Sequence, residues 1–479
     1  MRATLDMQTS PLDRNPPPAP APGLVQLKYT AARTRWVPSR YNARTVAEDG
    51  RLILWNTFSG AISAFGARSR EAVLSRLSVN GVAEPLDKVG TFLSERGFLV
   101  KENTNELNQF RYLFARQHWR QDTLQLILLA SEDCNFRCVY CYEKFKNGTM
   151  LPEVREGVRN LITQRAPTLS QLSLSWFGGE PLYGWDAVEE LSPFAQRIGR
   201  EHGIGVSQNM TTNAYLLTEE RATKLLEWGC DRYQITLDGL PEEHDCKRVG
   251  RDGSPTYATI LDNLRSLKAR KADYEVAIRV NFDQKNFQKL GPFLEALSED
   301  FGGDPRYVLR FRAVGKWGGD NDAALETCGR DEQRDVIDQV RRKAEEVNLR
   351  NEAGIRDYAK PGQQVCYAAR PFNFIVGATG KLMKCTVALD EMPENVVGQL
   401  QRDGKLELDH ERLSAWVTPH FESDTMCQNC YVLPVCQGAQ CPLSRVEVNR
   451  RSCAPVKSTL KREMRITLNE SRVPAAAGG

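Results

Sequence analysis

Three cysteines stand within eight residues, in the run Cys134-Asn-Phe-Arg-Cys138-Val-Tyr-Cys141. Thiolates favour soft metals, and three on one short loop supply three corners of a cubane [4Fe–4S] cluster. One iron is then left without a protein ligand, open to a small molecule. Tyr140 supplies an aromatic face beside it. A structural zinc site is the rival reading, but it lacks a fourth ligand. The nearest histidine, His118, lies upstream in a different expected element.

A second group lies far downstream: Cys366, Cys385, Cys427, Cys430, Cys436, Cys441 and Cys453, seven in 88 residues. No apolar signal core precedes them, so they are expected as thiols in a reducing compartment, the cytoplasm, rather than as disulfides. Cys427-Gln-Asn-Cys430 has the spacing of a zinc ribbon. Seven thiolates do not divide into two closed four-ligand zinc sites, which counts against that rival. Of the 13 cysteines, Cys230, Cys246 and Cys328 fall outside both groups. Cys230 reads as a small core residue ending an apolar helix, and the other two as loop residues.

The elements that must hold these groups follow a simple rhythm. Strand patterns at 124–130, 172–176, 205–210, 233–237, 276–281 and 308–312 alternate with helical ones at 153–165, 186–200, 219–228, 257–271 and 287–297. Six such repeats imply a parallel sheet, and a partial (β/α)6 TIM-like barrel carries its chemistry at the C-terminal strand ends. The first cysteine loop follows the first of these strands. Upstream, 24–115 combines a hairpin (52–55 with 61–65), two helices and a strand, a winged-helix-like order. Downstream, after a charged helix at 331–348, the cysteine-rich part reads as irregular and closes on a polar helix near 456–468. The class is α/β.

Composition excludes several functions. The 479 residues carry 64 basic and 61 acidic side chains, a net charge of +3 that argues for neither a nucleic-acid nor a membrane-surface partner. No run of about 18 apolar residues exists to span a membrane.

With the cysteine loop behind the first strand, the chain resembles the radical S-adenosylmethionine (radical SAM) superfamily, whose signature is this C-x3-C-x2-C loop. Trp176-Phe-Gly178-Gly179-Glu180-Pro181 after the second strand is similar to its GGE-P motif: glycines permit close backbone approach, and Glu180 offers a carboxylate to a ligand ammonium. Thr211-Thr212-Asn213-Ala214 after the third strand resembles a T-N-G segment with Ala214 in place of glycine. Asp238, after the fourth strand, is either a catalytic group or a turn cap. Arg279 and Asn281 share one face of the fifth strand, turned toward either the pocket or the helices. The resemblance implies reductive cleavage of S-adenosylmethionine to a 5′-deoxyadenosyl radical that takes a hydrogen atom from substrate.

The second cysteine group resembles the SPASM extension of that superfamily. By resemblance, Cys366, Cys385 and Cys441 hold one auxiliary [4Fe–4S] cluster, a thiolate short, and Cys427, Cys430, Cys436 and Cys453 hold another, making three clusters in all. The resemblance also implies a precursor peptide with a leader, or a substrate protein, as partner, and a flavodoxin- or ferredoxin-type electron donor. Expected units are a disordered proline-rich leader (1–23), a peptide-recognition module (24–115), the radical SAM core (122–325), a bridging helical segment (326–362), the auxiliary-cluster domain (363–460) and a polar tail (461–479). Sulfatase-activating relatives place an Asp after the cysteine of the Gly-x4-Cys element. This chain has Thr386, which favours crosslink formation (thioether, C–C or C–O) in a ribosomal peptide over oxidation of a protein Ser or Cys to formylglycine. That oxidation, another radical SAM dehydrogenation or action on a small molecule makes up the second class, and a non-enzymatic zinc adaptor the third.

Overall fold

The computed structural model describes residues 34–352, 365–438, 441–454 and 456–470. The expected leader, the end of the bridging segment and the last residues of the polar tail lie outside the described residues.

The N-terminal part has two small sheets. In one, β1 (Arg35–Pro38) pairs with β5 (Val82–Ala83) and β6 (Leu99–Lys101); in the other, β2 (Asn42–Val46), β3 (Leu52–Asn56) and β4 (Ile62–Phe65) form an antiparallel meander. Helices α1 (Ala67–Arg76), α2 (Lys88–Glu95) and α3 (Glu106–His118) complete it. Asn56 pins the expected hairpin turn. Its Oδ1 accepts from the Phe58 and Ser59 amides, while its Nδ2 donates to Ser39, Asn42 and the Gly97 carbonyl.

The centre is a sheet of ten strands. Six are parallel and adjacent in chain order: β7 (Thr123–Ser131), β8 (Gln171–Gly178), β9 (Gly205–Thr212), β10 (Cys230–Thr236), β11 (Glu275–Phe282) and β12 (Tyr307–Ala313). Strand β7 (TLQLILLAS) is apolar through most of its length because both its faces are covered, as parallel strands require. Between the strands run α4 (Pro152–Arg165), α5 (Trp185–His202), α6 (Glu219–Glu227), α7 (Pro241–Asp245), α8 (Tyr257–Lys268) and α9 (Leu290–Phe301); α10 (Arg330–Glu346) follows β12. Helix α5 shows why these form: Ala187, Val188, Leu191, Ala195 and Ile198 give one buried stripe, and Gly203 ends the helix at φ 67°. Sequential parallel strands with helical crossovers are the expected partial barrel.

Two readings change. Cys230 does not end a helix; it opens β10, fully buried. The cysteine-rich segment is not wholly irregular: β13 (Asn373–Val376) joins the barrel edge parallel to β7, and β14 (Lys381–Met383), β15 (Val396–Leu400) and β16 (Leu406–Leu408) extend it antiparallel. Three of these strands hold only three or four residues, too short to show a period of two. Gly380, at φ 84°, makes the turn from β13 to β14. The remaining helices are α11 (His410–Val417), α12 (Thr425–Gln428), α13 (Leu433–Cys436), α14 (Leu443–Val448) and α15 (Val456–Glu470).

The N-terminal part packs on this region. Ala43, Ile53 and Trp55 share an apolar cluster with Val432, Val435, Leu460 and Met464; Tyr41, Phe110 and Phe114 share another with Phe421 and Leu433. Arg40 donates to the Gln428 carbonyl at 2.8 Å, and Arg111 pairs with Glu422 at 2.8 Å.

Candidate active site and cysteine groups

The first cysteine loop leaves the C-terminal end of β7 and is stitched to its neighbours through the backbone. Arg137 and Val139 amides each donate at 2.9 Å to carbonyls of Val249 and Lys247, in the segment after α7. The Asp133 carboxylate caps the Cys134 amide at 2.8 Å and pairs with Arg137 and Arg251. The glycines of the second motif act on this loop. A Cβ at Gly178, where φ is 116°, would stand 2.2 Å from the Ser131 carbonyl oxygen, and one at Gly179 2.5 Å from that of Asp133. Only glycine lets the two turns touch.

Cys134, Cys138 and Cys141 line one cavity of ≈ 480 Å³ together with Tyr140, Gly178, Gly179, Thr212, Asn213, Arg248, Arg279 and Asn281. That volume lies within the roughly 300–1,000 Å³ of small-molecule sites. The shared face of Arg279 and Asn281 therefore meets the pocket. Burial pushes all three thiols up, Cys141 to about 12. The donor set is sulfur, solvent-shielded and grouped at one end of the cavity, which fits a cluster whose irons each take one thiolate. Among the described residues no three thiols, imidazoles or carboxylates converge on the position of a single metal ion.

Glu180 and Asp238 stand behind the cavity wall. Fully buried, Glu180 accepts from Thr212 Oγ1 at 2.6 Å and from the Asn213 and Leu182 amides at 2.7 and 2.9 Å, tying the turn after β9 to that after β8. Burial raises its pKa, and these three donors pull it back. Asp238 accepts from the Tyr140 hydroxyl and from the Asn281 amide (2.9 Å), and its carbonyl accepts from Asn286. Tyr140 in turn accepts from Arg248 Nη1 at 3.0 Å and Asn281 Nδ2 at 3.3 Å. The aromatic residue of the cysteine loop is thus anchored to β10 and β11 by its hydroxyl. Arg248 is missed by sequence reasoning: a lone arginine in a loop carries no signal until the fold brings it to Cys138 and Tyr140. Ala214 adopts φ 61°, the left-handed conformation that the glycine of a T-N-G segment favours.

A second cavity of ≈ 540 Å³ adjoins the first, sharing Tyr142, Glu143, Phe145, Trp317 and Val387 with it, and reaches Cys441. The Glu143 carboxyl at this junction is pushed up to about 8, by burial first and then by the Glu132 and Glu180 charges. Burial raises the Cys366 and Cys385 thiols, Cys366 to about 11, and nearby thiolate charge adds to it: Cys385 and Cys441 act on Cys366, and Cys441 on Cys385. Thr386 lines the first cavity and bonds the Tyr367 hydroxyl at 2.7 Å.

Cys427, Cys430, Cys436 and Cys453 line one small separate cavity with Arg451 and Lys457. Asp424 holds the two ends together. It caps the Met426 and Cys427 amides on α12 and pairs with Arg451, two residues before Cys453. Four thiols facing one space beside two cations fit an anionic cluster held by four cysteines. Of the remaining cysteines, Cys230 and Cys328 are buried and Cys246 is exposed. Cys328 lies in a loop, as expected, but is buried.

Residues 128–295 match the Radical SAM superfamily model. The chain carries a radical SAM domain. The domain implies S-adenosylmethionine and a [4Fe–4S] cluster. Among similar proteins is the radical SAM cyclopropyl synthase TigE of Paramaledivibacter caminithermalis, 26% identical over 40% of this chain and 44% of the relative. Another is the cysteine-type anaerobic sulfatase-maturating enzyme of Clostridium novyi, 29% identical over 33% of this chain and 43% of that one. The chain spans about half the length of the curated relatives it matches. The solved structure of native anSMEcpe with bound AdoMet and Cp18Cys peptide superposes with a TM-score of 0.53 at 16% identity, covering 73% of this chain and all of that one, a likeness of fold. Among the described residues no helix is long and apolar enough to cross a membrane.

Proposed function

We propose that this radical SAM enzyme modifies a peptide, abstracting a hydrogen atom from a precursor residue and closing an intramolecular crosslink, in the cytoplasm and with electrons from a flavodoxin- or ferredoxin-type donor. The observation that carries the reading is the pair of adjoining cavities, one lined by Cys134, Cys138 and Cys141 and the other reaching Cys441. Together they suit a ligand larger than a nucleoside, and the peptide named with anSMEcpe supports the substrate class.

In this reading Cys134, Cys138 and Cys141 hold the cluster that binds S-adenosylmethionine, while Cys366, Cys385 and Cys441 hold one auxiliary cluster and Cys427, Cys430, Cys436 and Cys453 another. When bound, the cluster and S-adenosylmethionine supply one-electron reductive cleavage to a 5′-deoxyadenosyl radical. The chain's own residues orient and enclose. Gly178 and Gly179 seat the turn behind β8 against the cysteine loop, and Glu180 locks that turn to Thr212 and Asn213. Arg248, Arg279 and Asn281 present donors along the cavity wall, and Asp238 fixes Tyr140 there. Thr386, which cannot serve as the carboxylate base of sulfatase-activating relatives, favours crosslinking over formylglycine formation.

Co-expression with a short peptide encoded beside the gene, read by tandem mass spectrometry, tests this. The expected product has lost two hydrogens and resists fragmentation between the two joined residues. A peptide recovered unmodified, or a Ser or Cys turned into an aldehyde with normal fragmentation, contradicts it.

A further inference from the structure

At the end of the barrel opposite the cysteine loop lies a third cavity, of ≈ 270 Å³, at the N-terminal ends of β7, β8 and β13. Its wall includes His118, Gln125, Ser173, Arg370, Asn373 and Gln437. Asn373 is fully buried, and neither its Nδ2 nor its Oδ1 has a hydrogen-bond partner among the described residues. A buried amide orphaned at both ends asks for a guest that accepts from the N–H and donates to the carbonyl.

The charge on this wall has one sign. No carboxylate lines the cavity among the described residues. Arg120 at its edge is already neutralised by Asp122 through bonds of 2.9 and 2.7 Å. Arg370 has no acidic partner among the described residues. Behind the wall the buried Lys384 amine, which burial pushes down to about 7, donates to the carbonyls of Arg370 and Asn373. His118 feels the result: burial, then the Lys384 and Arg370 charges, hold its pKa below the ordinary value.

The geometry points to a binding site for a small oxyanion that also carries an O–H, of the hydrogen-phosphate or hydroxycarboxylate kind. Arg370 meets the charge, Asn373 Nδ2 donates to one oxygen, and Asn373 Oδ1 accepts from the hydroxyl. Gln437 follows Cys436, and Arg370 comes four residues after Cys366, so the site lies between the loops of the two downstream cysteine groups. It shares no wall with the two cavities assigned to the reaction, and it stands or falls independently of that assignment.

The test is titration calorimetry on the full-length, cluster-reconstituted enzyme at constant ionic strength, with inorganic phosphate, malate and sulfate as probes. Saturable binding of phosphate or malate is expected, the tighter of the two naming the source. Sulfate, which has no O–H at neutral pH, is expected to bind about tenfold more weakly or worse. Arg370→Gln, at an exposed position, should weaken the preferred anion about tenfold, and Asn373→Ser should erase its preference over sulfate. Absence of saturable binding by all three, sulfate binding as tightly as phosphate and malate, or equal affinity in wild type and Arg370→Gln overturns the site.

Discussion

Single residues in this molecule answer to partners far away in sequence. Ala214 takes a left-handed φ of 61° because the turn after β9 must bring Asn213 to Glu180. A side chain in that conformation costs on the order of 1–2 kcal/mol, so Ala214→Gly is expected to stabilise the fold by about 1 kcal/mol, net of the added chain entropy. Denaturant unfolding measures it; a destabilised variant would mean the turn is not strained. His244 offers a pH dependence. Its Nδ1 accepts from the Asp238 amide at 3.3 Å and its Nε2 meets Thr256 Oγ1 at 3.2 Å, inside the core. Burial, helped by the Arg248 charge, holds it down to about 2 from 6.5. The unfolded chain therefore binds the proton first as pH falls. This contribution to stability is complete above 6.5 and declines below it. His244→Gln should flatten the loss of unfolding midpoint between pH 7 and about 5; a slope equal to wild type would show that His244 is not the group responsible.

At the scale of elements, the cysteine spacing and the strand–helix alternation are legible because each is local: a thiol trio needs eight consecutive residues, and helices and strands announce their periods. The strands β13 to β16 are not, since pairing along a neighbour's edge leaves almost no pattern in three to five residues. Arg248 and Asp424 escape for a related reason, being polar loop residues whose partners arrive only with the fold. Nor could the sequence tell that the N-terminal part shares its apolar clusters with the segment around Cys430 and Cys436. Trp55, fully buried in that shared cluster, ties the two together. Trp55→Ala removes a large core side chain, a loss of about 3–5 kcal/mol. The damage is expected to reach the cavity lined by Cys427, Cys430, Cys436 and Cys453. If three clusters are held as proposed, iron content should fall from about 12 per chain toward about 8, with the signal of the cluster proposed at Cys134, Cys138 and Cys141 retained. Undiminished iron in a destabilised Trp55→Ala protein would show that the two regions are not coupled.

Across the whole molecule, the barrel holds a thiol-lined cavity at the C-terminal ends of its strands, and the downstream cysteine segment closes a second cavity against it. Neither half makes that combined space alone. This is the basis for reading the enzyme as one that acts on a peptide rather than on a molecule the size of a nucleoside. The most direct measurement is isotope transfer. A precursor peptide deuterated at the carbon to be crosslinked is incubated anaerobically with reconstituted enzyme, S-adenosylmethionine and reductant, and the released 5′-deoxyadenosine is analysed by mass spectrometry. Deuterium is expected in 5′-deoxyadenosine in step with crosslinked peptide, and neither product with Cys134→Ala. Unlabelled 5′-deoxyadenosine, formed at the same rate with or without the peptide, would contradict it.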